Sequence, residues 1–191
     1  MSTGIVIFAR LSSKRLRNKV IKKIGGKTLL EWIVHRLKLT NLNYDIILAT
    51  SINNSDDKLI ELAKKIKIKF FRGSLNDVLG RACSCCKEYN LKNIVRICGD
   101  SPLIDPYLVE KLIKYKIDDL DVVTNVFPRT FPIGMSCEVI SSEALYKADI
   151  MAKTKFYREH ITNFFYQNPN QFKILNIKNQ DNLDYKFNLA I

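Results

Sequence analysis

The stretch Ile5-Val6-Ile7-Phe8-Ala9 runs directly into Arg10-Leu11-Ser12-Ser13-Lys14-Arg15-Leu16-Arg17-Asn18-Lys19. A short apolar run led by three β-branched residues reads as a buried strand. The ten residues after it hold five cations, two hydroxyls and an Asn, and Gly25-Gly26 and an apolar-periodic run follow. In an open α/β sheet, ligands bind in the loops that leave the carboxyl ends of the strands. Guanidinium and ammonium groups gathered in such a loop suit an anion, and a polyphosphate above all. A charge run of this kind also occurs as a plain surface loop, so the reading needs a second feature on the same edge.

Outward from this junction the pattern alternates. Strand-like runs fall at 5–9, 45–49, 67–71, 93–97, 121–124, 137–140 and 172–177. Between them, apolar residues spaced by three and four predict helices over 29–39, 57–65, 77–89, 106–115, 142–148 and 155–166. Thr28, Ser55 and Ser74 stand where helix caps belong, and Pro106 suits a first helical turn. Strands alternating with helices of this length predict a Rossmann-like α/β fold, with a mainly parallel sheet covered by helices on both faces. At 191 residues, with no repeat and no low-complexity linker, 1–191 reads as a single domain. Residues 183–191 read as a strand end followed by barely one helical turn, too short to cap a sheet well.

A net charge of +12 raises the question of nucleic acid. The lysines are spread over nearly every segment, and aromatic residues do not interleave with them as a single-strand platform requires. The charge is expected to serve anionic small substrates, with no nucleic-acid partner. No apolar run is long enough to cross a bilayer and no signal-peptide pattern opens the chain, so the expected location is cytoplasmic, with no membrane insertion. Of the five cysteines, Cys83 and Cys86 have a C-x-x-C spacing. They fall within a helical run and lack the second pair that zinc needs, so buried free thiols are expected.

Gly26-Lys27-Thr28 imitates the end of a P-loop, but the glycine that motif needs five residues earlier is Ile21. The glycine pair is read as a turn into the next helix. A stronger second site is Cys98-Gly99-Asp100-Ser101-Pro102-Leu103-Ile104-Asp105-Pro106, where a buried strand ends in Gly-Asp. Gly99 allows a close approach of backbone or ligand. Asp100 at the carboxyl edge is a natural Mg²⁺ ligand, since magnesium is commonly held by one or two carboxylates with substrate phosphates. Asp184, after another strand-like run, is a further metal candidate.

These segments together resemble the nucleotide-sugar cytidylyltransferases. Ala9-Arg10 through Lys19 with the following Gly-Gly-Lys-Thr resembles the opening of the acylneuraminate and 3-deoxy-manno-octulosonate enzymes and of the spore-coat polysaccharide F-like proteins. The last branch is the nearest match. Arg72-Gly73-Ser74, Asp77-Val78-Leu79-Gly80-Arg81, Gly99-Asp100, Arg158-Glu159-His160 and Leu183-Asp184-Tyr185 follow its landmarks in order. The resemblance implies a nucleotide-diphospho-sugar transferase fold. It also implies a Mg²⁺-dependent transfer of CMP from CTP to an acidic sugar, releasing pyrophosphate, for a surface polysaccharide.

By the same resemblance Arg10, Lys19 and Asp100 are catalytic. Ala9, Arg10, Ser12, Ser13, Arg15, Lys19, Arg72 and Cys98 would bind the nucleotide, and Asp100 and Asp184 the metal. Arg129, Glu138, Arg158 and His160 are candidates for the sugar. For Arg158 a helix pair with Glu159 is an equal alternative; for His160 it is a packed or capping role, and for Arg129 simple exposure. The chain departs from the family at Arg17-Asn18, where Pro-Gly is usual, and at Cys98, Ser136, Lys186 and Asn188. Two alternatives stay open: a nucleotide-binding homologue with weakened catalysis, or a nucleotidyltransferase acting on a sugar or polyol phosphate. A homodimer is a further expectation from the family.

Overall fold

A computed structural model describes residues 2–13, 16–40, 42–180 and 186–191. The strands are β1 (Thr3–Phe8), β2 (Lys23–Ile24), β3 (Lys27–Thr28), β4 (Asp45–Ser51), β5 (Lys69–Gly73), β6 (Asn93–Cys98), β7 (Val122–Thr124), β8 (Cys137–Ser141) and β9 (Ile174–Asn176). The α-helices are α1 (Leu29–Leu37), α2 (Asp57–Lys65), α3 (Val78–Glu88), α4 (Pro106–Tyr115), α5 (Ser142–Met151), α6 (Lys155–Glu159) and α7 (Ile161–Gln167). Among the described residues the main sheet has the order β5-β4-β1-β6-β8-β7-β9. β5, β4, β1 and β6 pair in parallel, as do β7 and β9, while β8 runs antiparallel to both its neighbours. The fold is therefore α/β with a mostly parallel sheet, and every predicted strand is present. β8 reverses because no helix separates it from β7, and a direct loop can join only antiparallel neighbours.

Period-two alternation along β1 divides the core into two layers. Ile5 and Ile7 pack with Leu30, Ile33 and Val34 of α1, Leu59 of α2 and Val109 of α4. Val6 faces the other way, into a cluster with Leu79 and Ala82 of α3, Leu145 of α5 and Phe165 of α7. Because both faces of the central strands are covered, their sequences read as continuous apolar runs. Each fully buried Leu or Ile contributes about 1.5–3 kcal/mol of transfer free energy.

Gly25 and Gly26 have φ values of 57° and 84° and join β2 to β3 in a two-residue hairpin, the backbone that glycine adopts without a steric penalty. Thr28 then caps α1, accepting from the Glu31 N–H at 3.2 Å while the Glu31 carboxylate accepts from the Thr28 N–H at 2.7 Å. This capping box explains why Lys-Thr here imitates a phosphate motif while serving as a helix start.

Three local expectations need correction. Ser55 and Ser74 do not cap. Asp77 caps α3 through the Gly80 N–H, and Ser74 Oγ instead accepts from the Asp77 N–H. Asp56 occupies the cap position of α2 without capping it, because its carboxylate is committed elsewhere. The helix expected over 155–166 is broken at His160, whose φ of −111° and ψ of 75° are not helical. Residues 186–191 hold no helical turn; Asn188 forms a parallel bridge with Ile133 instead, and 183–185 lie outside the described residues.

Candidate functional site

The carboxyl ends of β1 and β6 open into a cleft of about 720 Å³. Its lining mixes polar groups, among them Ser12, Ser13, Lys19, Asp100 and Glu159, with the apolar Phe8, Leu75 and Val78, and Arg81, Arg96 and Cys98 also line it. The cleft forms here because β1 and β6 are adjacent, with Phe8 in register with Cys98. The chain crosses over at Gly99, whose N–H donates to the Phe8 carbonyl at 2.9 Å. A Cβ at Gly99 would lie 2.6 Å from that of Ala9, so glycine here serves the approach of backbone to backbone and not of a ligand.

The loop after β1 is held from two sides. The Asn18 N–H donates to the Leu11 carbonyl at 3.2 Å, with Asn18 itself at a φ of 57°. The Leu11 N–H donates to Asp56 Oδ1 at 2.8 Å, and Asp56 Oδ2 accepts from the Thr50 hydroxyl at 3.0 Å and from the Ser51 N–H and hydroxyl. Asp56 is 1% exposed, so this carboxylate is a buried post that fixes the cationic loop to the end of β4. Nothing in the motif reading pointed to it; Asp56-Asp57 reads as an ordinary acidic helix start.

Lys19 Nζ donates to Asp100 Oδ2 at 2.9 Å and to the Ile191 carbonyl at 2.8 Å. The two candidate catalytic groups, 81 residues apart in the chain, therefore meet in the cleft. Arg10 Nη2 lies 2.8 Å from Glu159 Oε1, a residue the sequence reading had taken only as a helix partner for Arg158. Both side chains of this second pair are more than a third exposed, so it is worth well under 1 kcal/mol, and an incoming phosphate can replace it at little cost. Ala9 lies in the cleft wall and His160 lines its rim, its ring packed 5.0 Å from that of Phe156. Arg15 and Asp184 lie outside the described residues.

Four candidates fall elsewhere. Arg72 is committed to the Ser51 and Asn53 carbonyls, both at 3.0 Å, and to Asp57 at 2.8 Å. It ties β5 to the end of β4 and does not line the cleft. Arg158 grips Asp77 with its Nε and Nη2 and reaches Asp149 Oδ1 at 2.7 Å. That bidentate grip clamps α6 onto the start of α3, and it holds the Arg158 guanidinium above its ordinary pKa. Arg129 donates to Ser136 Oγ at 3.0 Å within the loop that joins β7 to β8.

Glu138 is 2% exposed and sits behind the cleft, accepting from Arg96 Nη1 at 2.9 Å. The β6–β8 register sets this pair directly opposite one another. Tyr166, whose hydroxyl shares a 2.8 Å hydrogen bond with Thr124 Oγ1, adjoins the pair, and burial holds its pKa well above the usual value. Arg96 and Arg81 both line the cleft, and neither has a site role in the sequence reading, where Arg81 stands only as part of the 77–81 landmark.

All five cysteines are free; Cys83, Cys85, Cys86 and Cys137 are buried and Cys98 is partly exposed. Burial pushes the Cys83 and Cys85 thiols up to about 12 and raises Cys86 further, which leaves the C-x-x-C segment chemically inert. Burial raises the Cys98 thiol as well, but Cys98 is partly exposed and lines the cleft, so in the native protein N-ethylmaleimide is expected to label it before any other thiol, and a nucleotide in the cleft should slow that labelling severalfold. Peptide mass spectrometry reads the outcome; first labelling on α3 would contradict this geometry.

Residues 4–189 match the family model described as cytidylyltransferase. An uncharacterized protein of Methanocaldococcus jannaschii is 41% identical over 170 residues, covering 88% of this chain and 69% of that protein. The spore coat polysaccharide biosynthesis protein SpsF of Bacillus subtilis is 29% identical over 174 residues, covering 88% and 72%. A 3-deoxy-manno-octulosonate cytidylyltransferase of Rickettsia canadensis is 30% identical over 130 residues, and the match spans about half of that enzyme (51%). Among solved structures, a cytidylyltransferase from Leptospira borgpetersenii superposes with a TM-score of 0.95 at 36% identity, covering all of this chain and 81% of that one.

Proposed function

The chain belongs to the cytidylyltransferase family and is a nucleotidyltransferase, and from that premise we propose that it transfers CMP from CTP to a hydroxyl of a sugar acid, with release of pyrophosphate. The observation that carries this reading is the meeting of Lys19 and Asp100 at 2.9 Å, where the cationic loop and the Gly-Asp turn face each other at one sheet edge. A 3-deoxy-manno-octulosonate enzyme and a spore-coat polysaccharide protein among the relatives support an acidic sugar destined for a surface polysaccharide.

In the transfer, the sugar oxygen forms a bond to the α-phosphorus in line with the bond that breaks. Pyrophosphate leaves with the bridging oxygen, and the hydroxyl proton passes to solvent. Little covalent work falls to the protein, so positioning and charge neutralisation carry the rate. Lys19 and Arg10 exchange their carboxylate partners for phosphate oxygens and offset the charge that grows on the leaving group. Ser12 and Ser13 offer hydroxyl donors to the same phosphates.

Among the described residues there is no group of three or more His, Cys, Asp or Glu side chains that could enclose a metal ion. Among the described residues two carboxylates line the cleft, Asp100 beside Lys19 and Glu159 beside Arg10. A single carboxylate completed by substrate phosphates suits Mg²⁺, so the site fits that ion, with Asp100 as its holder. When bound, Mg²⁺ would act as a Lewis acid on the phosphate oxygens. Glu138 supports the acceptor side indirectly, by fixing Arg96 in the cleft wall.

No helix among the described residues is long and apolar enough to cross a membrane. A cytoplasmic location, where CTP is available, accompanies the proposal, and so does the homodimer that the family resemblance suggests. The test is pyrophosphate release from CTP, UTP, GTP and ATP against a panel of acidic sugars and sugar phosphates. Release with CTP and an acidic sugar is expected. Saturable CTP binding without release under any condition would replace this reading with that of a nucleotide-binding protein that has lost catalysis.

A further inference from the structure

Residues 187–191 form a strap between two loops that are far apart in sequence. At one end the Ile133 N–H donates to the Phe187 carbonyl at 3.1 Å and the Leu189 N–H to the Ile133 carbonyl at 2.7 Å, which pairs the segment with the loop between β7 and β8. The Asn188 side chain accepts from the Ala190 N–H at 3.0 Å, an Asx turn. At the other end the Ile191 N–H donates to the Asp100 carbonyl at 3.0 Å, and the Ile191 carbonyl accepts from Lys19 Nζ at 2.8 Å. Gly134 is shaped for this passage. Its φ is 98°, and a Cβ there would lie 2.6 Å from both Ala190 N and Leu189 C, backbone atoms that cannot step aside as a side-chain end can.

What the strap offers Lys19 differs in kind from what Asp100 offers. An ammonium carries its three donors on a flexible four-carbon stem, and holding such a group in place before a ligand arrives removes an ordering cost from binding. The Lys19 side chain is 12% exposed and donates to both Asp100 and Ile191. Asp100 offsets the charge of the cation and yields when a phosphate takes its place. The Ile191 carbonyl is neutral, so it fixes the ammonium and leaves the charge available to an anion.

We infer that the strap is a positioning element for triphosphate binding: Gly134 and Asn188 act through the Ile191 carbonyl to hold Lys19 where a phosphate oxygen meets it. The inference rests on the cytidylyl-transfer reading for the part that Lys19 plays in binding. Gly134 and Asn188 are not among the residues that line the cleft, so both are positioning residues that act without touching substrate.

The experiment measures binding of inorganic tripolyphosphate by calorimetry in wild type, Gly134→Ala, Asn188→Ala and Asn188→Ser, and again with Gly134→Ala placed in a Lys19→Met background. Hydrogen exchange at the Leu189 and Ile191 amides reports whether the strap is seated. Gly134→Ala should quicken that exchange and weaken tripolyphosphate binding by about tenfold, the scale of coupling between groups in one network. Asn188 is exposed, so Asn188→Ala disturbs the strap and leaves the core alone. A smaller loss is expected there, and Asn188→Ser, which supplies the same turn acceptor, should restore most of it. In the Lys19→Met background Gly134→Ala should change the affinity by less than about twofold, because the group that the strap positions is gone.

An equal loss in the Lys19→Met background would overturn the inference by showing that the strap serves the fold and not Lys19. Tighter tripolyphosphate binding in Gly134→Ala would overturn it in the opposite sense, with the carbonyl a competitor of the phosphate. Exchange or affinity unchanged in Gly134→Ala would overturn it as well, and so would wild-type protein that binds no tripolyphosphate. Wild-type protein that binds tripolyphosphate yet releases no pyrophosphate from CTP would instead count against the cytidylyl-transfer reading itself, with the strap still judged by affinity.

Discussion

Asp100→Ala is expected to reduce pyrophosphate release by about 10³-fold or more, the scale on which a group that stabilises developing charge acts. The same variant should fold normally, because Asp100 lines the cleft and Lys19, its ion-pair partner among the described residues, keeps the Ile191 carbonyl at 2.8 Å. CTP binding without metal should be retained or slightly tightened, since removing the carboxylate leaves Lys19 Nζ free for phosphate. Asp100→Asn separates the two contributions: the amide keeps an acceptor for Lys19 but loses the charge that would hold Mg²⁺. Turnover measured across a Mg²⁺ titration and calorimetry with CTP check both variants. Near-normal turnover in Asp100→Ala would show that this carboxylate does not hold the metal, whatever its place in the cleft.

Asp56→Ala is expected to lower stability by about 3 kcal/mol or more, the sum of lost charge-assisted bonds and newly orphaned donors. The carboxylate is 1% exposed and takes the Leu11 N–H, the Thr50 hydroxyl and both donors of Ser51. In a domain of this size each kcal/mol corresponds to roughly 2–4 °C of melting temperature, so a shift of about 6–12 °C is expected. Function should suffer beyond stability, because the Leu11 bond anchors the loop that carries Arg10 and Lys19. Below the melting transition, KM for CTP should rise more than kcat falls. Asp56→Asn keeps acceptors for two of the donors and should lose about half as much. A variant as stable as wild type, or one whose KM is unmoved, would show the loop to be held by something other than this post.

The strands were legible because continuous apolar runs and period-two burial leave few alternatives for a chain that must cover both faces of a sheet. Lys19 and Asp100 were legible for a related reason. Each follows a buried strand directly, and parallel neighbours carry their carboxyl ends to the same edge. Arg72 and Arg158 were named from the family resemblance, and a linear motif does not record that the end of β4 holds the one and Asp77 the other. The break at His160 was equally hidden, since helical periodicity continues through it. The two residues just before the break are held by groups from distant segments, Arg158 by Asp77 and Glu159 by Arg10.

The opening junction of apolar strand and cationic loop thus determined, as sequence, the α/β class and the edge at which an anion would sit. Those are consequences of local pattern: alternation, caps and charge beside a strand end. Tertiary structure alone decided which cations remain available and which are spent. Arg158 and Asp56 show why. Hydrogen-bond satisfaction depends on partners brought from distant segments, and no local pattern records whether a guanidinium or a carboxylate has already met its partners.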